Sequence, residues 1–527
     1  MTASQPDLMQ DYALTVDRFL EHGAKWHGSA RVITARGDAE DSLGYATLRD
    51  RANRLSGALL DLGLNPGDRI ATLAWNTRHH VEVWYAAMGA GIVCHTLNPR
   101  LTLAHMISMV LQANDRVLAV GTGLRDMADA LMAACPCLEY LILLDDEEAE
   151  AGDSVSGLET LLATRGRAVA WGQFDELTLA GLCFTSGTTG APKGVAYTHR
   201  SNYLHTLRVL QADSMALTAS DTILVAVPMF HANAWGLPFA APAVGASLVL
   251  PGRVTDGASL ASLINRHNVT VAVGVPTVWL GLLDHLDAFG GETNSLQRII
   301  IGGSSCPDSL LRRMEDRLGA TVQTSWGMTE LSPLGAISPR ANRPGAARGS
   351  GRPPMGLDLL LTDADGAPLP EQRNAVGHLK VKGQSVVNRY FGAGTSAVDE
   401  NGWFDTGDLA ILDDAGNLTL AGRSKDLIKS GGEWINPVEI EEIVGALPSV
   451  GLVAVIGRTD PKWGERPLMV IEPARGEEIA DADLKAALKG QIADWWIPDR
   501  IVRVDAMPLA ATGKINKTQL RATYGGA

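Results

Sequence analysis

Leu48, Ala52, Leu55 and Leu59 recur at the spacing that lines up one face of a helix. Gly63 and the Asn65-Pro66-Gly67 turn predict where that helix stops. The run RIATLAW, starting at Arg69, reads as a strand. It is followed by a helical stretch through Val83 and Ala87 and a short strand at residues 92–95. The same order returns as VLAV at residues 117–120, a helical stretch at 127–134 and YLILL at 140–144. Such alternation predicts α/β layers built on largely parallel sheets.

A second alternation begins near Thr222, with ILVAVP, VGASLVL, TVAVGVP and RIIIGG as its strands. From about Gly351 the texture changes to short strands and turns (LDLLLTDADGAPL, GHLKVKG), which predicts a small β-rich subdomain. After Arg423 comes a basic segment with glycines, SKDLIKSGGEWINP. About a hundred residues then follow with strands near 452–456, 468–471 and 501–504 and a helix near 484–493. The expected division is residues 1–424, a large α/β unit with its β-rich subdomain, and residues 425–527, a small mobile α+β unit.

A length of 527 residues exceeds what one compact core supports, in line with that division. The formal charge of −14 disfavours nucleic acid and anionic lipid as main partners, so an anionic substrate has to be held by local features. The five cysteines are scattered and give no zinc spacing, as expected for reduced thiols in a cytoplasmic protein. The N-terminal stretch has no apolar signal region, and no apolar run is long enough to span a membrane.

The strongest chemical signal is TSGTTGAPKG at residues 185–194, after the apolar run LAGLCF. Three glycines and four hydroxyl residues make a loop whose N–H and O–H groups can wrap polyphosphate, and Lys193 adds a positive charge. It is not a Walker A loop, because Pro192 and Gly194 flank the lysine where Gly and Ser or Thr are required. Further along stand GGSS at 302–305, WGMTE at 326–330, DTGD at 405–408, GRSKDLIKSGGEWINPVEIEE at 422–442 and LAATGKINK at 509–517.

Six motifs in this order resemble the adenylate-forming superfamily of acyl-CoA synthetases, luciferases and adenylation domains. The resemblance covers nearly the whole chain. It implies an enzyme that joins a carboxylic acid to AMP from ATP, with Mg²⁺, and then passes the acyl group to coenzyme A. Thr185, Ser186, Gly187, Thr188, Thr189, Gly190 and Lys193 would hold phosphates. Gly303, Ser304, Trp326, Gly327, Met328 and Thr329 would hold the adenine and α-phosphate, with Trp326 in place of the usual Tyr and so without a hydroxyl contact. Glu330 and Thr185 would hold Mg²⁺, and Asp408 and Arg423 the ribose. The catalytic set implied is Lys514, Lys193, Glu330 and His231, and Lys425 takes the hinge position. Lys429, Gly431, Gly432 and Glu433 would meet CoA after the small unit turns.

The segment PMFHANAWGLPFA, residues 228–240, resembles the acyl pocket of fatty acyl ligases. It implies a substrate pocket of His231, Trp235, Gly302, Gly303 and Pro333, with Trp235 as a gate. Within that branch the motifs are most similar to bacterial medium-chain and 3-methylmercaptopropionate ligases. The expected substrate is a short- or medium-chain monocarboxylate with an uncharged tail, 3-(methylthio)propanoate above others, with general medium- or long-chain fatty acids as the alternative. A luciferase-like oxygenase, a non-catalytic nucleotide binder and loading of a carrier protein stay open at this point. So does a homodimer.

Overall fold

The computed structural model describes residues 9–10, 12–36, 39–145, 152–185, 192–304, 306–340, 349–431, 433–474, 476–510 and 513–526. The first alternation builds a seven-stranded sheet in the order Val155–Gly157, Tyr140–Leu143, Val117–Val120, Arg69–Leu73, Val93–Thr96, Leu179–Thr185, Lys193–Thr198. All its pairs are parallel except the last, an antiparallel hairpin.

The second alternation builds an eight-stranded sheet: Leu334–Ile337, Thr321–Gly327, Arg298–Ile301, Val271–Gly274, Thr222–Val225, Ser247–Leu250, Arg31–Arg36, Ala39–Gly44. Its central strands are buried at every position of Val271–Gly274 and Arg298–Ile301, which is why they read as continuous apolar runs. One core cluster joins the two sheets. Ile70, Val117 and Ile142 of the first and Ile223, Val271 and Ile300 of the second share it with Leu55, Leu59, Trp84 and Phe239 from helices. The helix expected around Leu48 to Leu59 spans Tyr45–Asp61 and is followed by Gly63 at φ +88°.

The β-rich stretch forms a four-stranded antiparallel sheet, Leu357–Thr362, Gly377–Gly383, Phe404–Leu412 and Leu418–Arg423. Its apolar face, with Leu379, Val381, Phe404 and Leu418, packs against Val195, Tyr197 and Trp326. This packing places Asp408, paired with Arg423, beside Trp326 near the end of a strand of the eight-stranded sheet.

The last hundred residues carry a five-stranded sheet and the helices Pro437–Gly445, Asp481–Leu488 and Lys517–Tyr524 over their own apolar core. The sequence predicted helix as far as residue 493, but the helix ends at Leu488. Lys489 is extended and Gly490 turns left-handed at φ +76°, a conformation that suits glycine and stops the helix. This unit docks on the larger one, where the Ser309 hydroxyl donates to the Gly445 carbonyl at 3.1 Å. No helix among the described residues is long and apolar enough to cross a membrane.

Candidate functional site

Strand ends and the approaching C-terminal turn build the site. Gly302 and Gly303 end the strand Arg298–Ile301, and Trp326 lies near the end of its neighbour Thr321–Gly327. In open α/β sheets, ligands collect at the carboxyl ends of strands like these. A Cβ on Gly302 would stand 2.4 Å from the Ser325 hydroxyl and 3.1 Å from the Trp235 ring, so the backbone there can only approach its neighbours as glycine.

Trp326 is buried, and its indole N–H donates to Asp408 Oδ2 at 3.0 Å. Asp408 Oδ1 pairs with Arg423 Nε at 2.7 Å. The indole thus supplies a polar contact of its own where the expectation was only the loss of a tyrosine hydroxyl. Burial raises the Asp408 pKa, and the Arg423 charge and the Trp326 bond oppose that rise. Gly327 and Met328 lie against Pro333, whose carbonyl accepts from the Met328 N–H at 3.0 Å. Pro333 is buried and follows Ser332 through a cis peptide.

Lys514 comes from the C-terminal unit. The segment that carries it docks on the larger unit at Gly513, whose carbonyl accepts from the Thr277 hydroxyl at 3.5 Å. A Cβ on Gly303 would stand 3.8 Å from Lys514 Cε and 3.9 Å from Trp235, which places Lys514, Trp235 and Gly303 around one point. Burial pushes the Lys514 pKa down to about 8. The Arg423 charge adds to this, and Asp408 and Glu330 oppose it. Burial, followed by the charge of Lys514, pushes His231 down to about 4, so its imidazole is neutral at pH 7.

Trp235 rides on an unusual backbone. Ala232, Asn233, Ala234 and Trp235 have φ of 45°, 52°, 47° and 55°, and Gly236 follows at 78°. This is a left-handed turn made mostly of non-glycine residues, each costing about 1–2 kcal/mol. Sustained strain of this kind gathers at ligand clamps and moving elements. The neighbouring His205 ring crowds Gly236, at 2.9 Å from an added Cβ.

On the phosphate side, the pairing of Leu179–Thr185 with Lys193–Thr198 sets Thr185 opposite Lys193 and so fixes both ends of the loop. Ser186, Gly187, Thr188, Thr189 and Gly190 lie outside the described residues. Glu330 is buried in the short helix Thr329–Leu331 beneath the Tyr197 hydroxyl, which donates to the Thr329 carbonyl at 2.9 Å. Among the described residues no cluster of three or more His, Cys, Asp or Glu side chains could hold a metal unaided. One carboxylate, Glu330, and one hydroxyl, Thr185, instead suit a Mg²⁺ that brings phosphate oxygens with it.

Ser304 is exposed beside this site. Lys425 is exposed in the turn Ser424–Asp426, where the Ser424 hydroxyl meets His378 Nδ1 at 3.0 Å. Lys429, Gly431 and Glu433 belong to the hairpin Ile428–Ser430 and Glu433–Ile435, and Gly432 lies outside the described residues. The contacts of this hairpin run to Trp463 and Glu465 within the C-terminal unit: Gly431 N–H to the Trp463 carbonyl at 2.8 Å and Lys429 N–H to Glu465 at 3.0 Å. Two features were not legible in the sequence. The partnership of Tyr390 with Glu330 joins residues sixty positions apart through an irregular stretch, and the left-handed turn under Trp235 contains only one glycine.

Residues 20–391 match the family described as AMP-binding enzyme, and residues 439–514 match the AMP-binding enzyme C-terminal domain. The chain is 41% identical over 525 residues to a 3-methylmercaptopropionyl-CoA ligase of Ruegeria pomeroyi, covering 97% of both chains. It is 40% identical over 525 residues to a medium-chain-fatty-acid–CoA ligase of Ectopseudomonas oleovorans, covering 97% of this chain and 96% of that one. Among solved structures, ATP-bound MatB from Rhodopseudomonas palustris aligns with a TM-score of 0.86 at 26% identity, over 98% of this chain and 99% of that one.

Proposed function

The chain belongs to the AMP-binding enzyme family, and from that premise we propose how its site works as an AMP-forming acyl-CoA ligase and on which acid. The proposed substrate is a short- or medium-chain monocarboxylate with an uncharged tail, 3-(methylthio)propanoate above others. The observation that carries the reading is the meeting of Lys514, from the C-terminal unit, with Asp408, Arg423, Gly303 and Trp235 of the larger unit.

In the first step a carboxylate oxygen bonds to the α-phosphorus of ATP, and the bond from that phosphorus to pyrophosphate breaks. The Lys514 ammonium meets the negative charge that gathers there, in a site where water is largely excluded. Lys193 does the same for the leaving pyrophosphate. Mg²⁺, when bound through Glu330 and Thr185, neutralises phosphate charge. Asp408, fixed by Trp326 and Arg423, is proposed to hold the ribose. His231 stays neutral and gives the carboxylate a polar wall without competing for its charge.

In the second step the small unit turns about Lys425 and brings Lys429, Gly431, Gly432 and Glu433 to the site. The CoA thiol gives up its proton to solvent, its sulfur bonds to the acyl carbon, the bond from that carbon to the AMP phosphate oxygen breaks, and AMP leaves. The reading of the acid rests on relatives of 41% and 40% identity and on Trp235, whose ring lies against Gly302 and is proposed to limit the length of the acyl chain.

The test is AMP release with ATP, Mg²⁺ and CoA across acetate to dodecanoate, benzoate and 3-(methylthio)propanoate, as kcat/KM for each. A maximum at the thioether acid or at four to six carbons is expected. A maximum at ten carbons or beyond overturns the small-pocket reading and favours a general medium- or long-chain ligase. The strained turn under Trp235 is the observation on that side, since relaxing it would move the ring. The proposed setting is the cytoplasm and the proposed assembly a homodimer, which light scattering of the pure protein tests.

A further inference from the structure

Residues 387–391 tie the metal-side carboxylate to the far end of the phosphate loop at four points. The Val387 N–H donates to the Glu330 carbonyl at 2.8 Å, and the Tyr390 hydroxyl donates to Glu330 Oε1 at 2.9 Å. The Phe391 N–H donates to the Gly194 carbonyl at 2.7 Å, and the Lys193 ammonium sits 5.0 Å from the centre of the Tyr390 ring. The segment joins no sheet with either partner, and its contacts add a second tie between two elements that the Tyr197–Thr329 bond already joins. A carboxylate only accepts, which fixes the direction of the bond.

We propose that Tyr390 is a positioning residue for the nucleotide-bound divalent cation: its hydroxyl takes one oxygen of Glu330 and leaves the other for the cation, while its ring face steadies Lys193. The proposal rests on the reading of Glu330 as a ligand of that cation. A free carboxylate on a short helix can rotate about its last bond, and one charge-assisted hydrogen bond restricts it. The cation–π contact restrains a long side chain that is otherwise exposed.

The test uses the full-length protein and three variants, Tyr390→Phe, Tyr390→Leu and Glu330→Gln. Two readouts are taken. One is the Mg²⁺ concentration giving half-maximal pyrophosphate release at saturating ATP and acid. The other is equilibrium Mn²⁺ binding in the presence of a non-hydrolysable ATP analogue, followed by electron paramagnetic resonance. Tyr390→Phe keeps the ring and loses only the hydroxyl. It is expected to weaken both readouts by about 10- to 150-fold, the range of one hydrogen bond to a charged group, with the KM for the acid and the melting temperature unchanged. Tyr390→Leu loses the ring as well and is expected to weaken them further.

If Glu330→Gln weakens Mn²⁺ binding and Tyr390→Phe does not, the role of Tyr390 is overturned and the reading of Glu330 stands. If Glu330→Gln leaves Mn²⁺ binding unchanged, the reading of Glu330 fails and this proposal fails with it. If Tyr390→Phe lowers the melting temperature and all kinetic constants together, the residue is structural and the proposal is wrong.

Discussion

The indole N–H of Trp326 donates to Asp408 at 3.0 Å, across an interface between the large sheet and the four-stranded one. A buried carboxylate with one oxygen on an indole and the other on Arg423 is held in a single orientation before any nucleotide arrives. Trp326→Phe keeps an aromatic face and removes the donor. A hydrogen bond to a charged group contributes about 1.5–3 kcal/mol, so the KM for ATP is expected to rise by about tenfold or more, with a smaller change in kcat. Steady-state kinetics with ATP as the varied substrate checks this. An unchanged KM means that Asp408 is oriented by Arg423 alone.

Lys514 gives the pH dependence its sign. Its pKa is lowered to about 8, and the protonated form is the one that meets negative charge. The kcat/KM for the adenylation step is therefore expected to be level below about pH 8. Above it, the value should fall roughly tenfold per pH unit as the proton is lost. Lys514→Arg cannot lose its proton in this range and is expected to remove that limb whatever its absolute rate. Pyrophosphate release measured from pH 6.5 to 9.5 for both proteins decides it.

The turn beneath Trp235 has a direct stability test. Gly236 is left-handed at φ +78°, and an added Cβ would meet the His205 ring at 2.9 Å. Gly236→Ala is expected to cost about 1–3 kcal/mol in a denaturant melt. It should also alter acid selectivity more than the KM for ATP, because the strain is felt at Trp235.

Removing the ring itself should lengthen the pocket. Trp235→Ala is expected to raise the kcat/KM ratio of decanoate to 3-(methylthio)propanoate by about tenfold or more, since each methylene given room contributes about 1–3 kcal/mol. A ratio that does not move would show that other walls set the chain length.

The strands of both large sheets were legible because buried parallel strands read as unbroken apolar runs, as in Val271–Gly274. The loop between Thr185 and Lys193 was legible as a loop because glycine and hydroxyl residues crowd the positions after an apolar strand. Helix ends were less so. The stop at Leu488 depends on Gly490, which also occurs harmlessly in loops. Side-chain partnerships across long separations left no local trace: nothing in WGMTE announces that its tryptophan reaches Asp408, eighty-two residues on. The left-handed turn at Ala232–Gly236 is not readable either, because alanine and tryptophan carry no preference for it and packing alone enforces it.

The account rests on Lys514 serving adenylation while a different face of the same unit serves thioester formation, and one variant separates the two. Lys514→Ala is to be measured twice: for pyrophosphate release from ATP and acid, and for thioester formation from supplied acyl-AMP and CoA. The account predicts a loss of at least about 10²–10³-fold in the first, the scale for removing one charge-stabilising group, and a change within about threefold in the second. An equal loss in both half-reactions would contradict it.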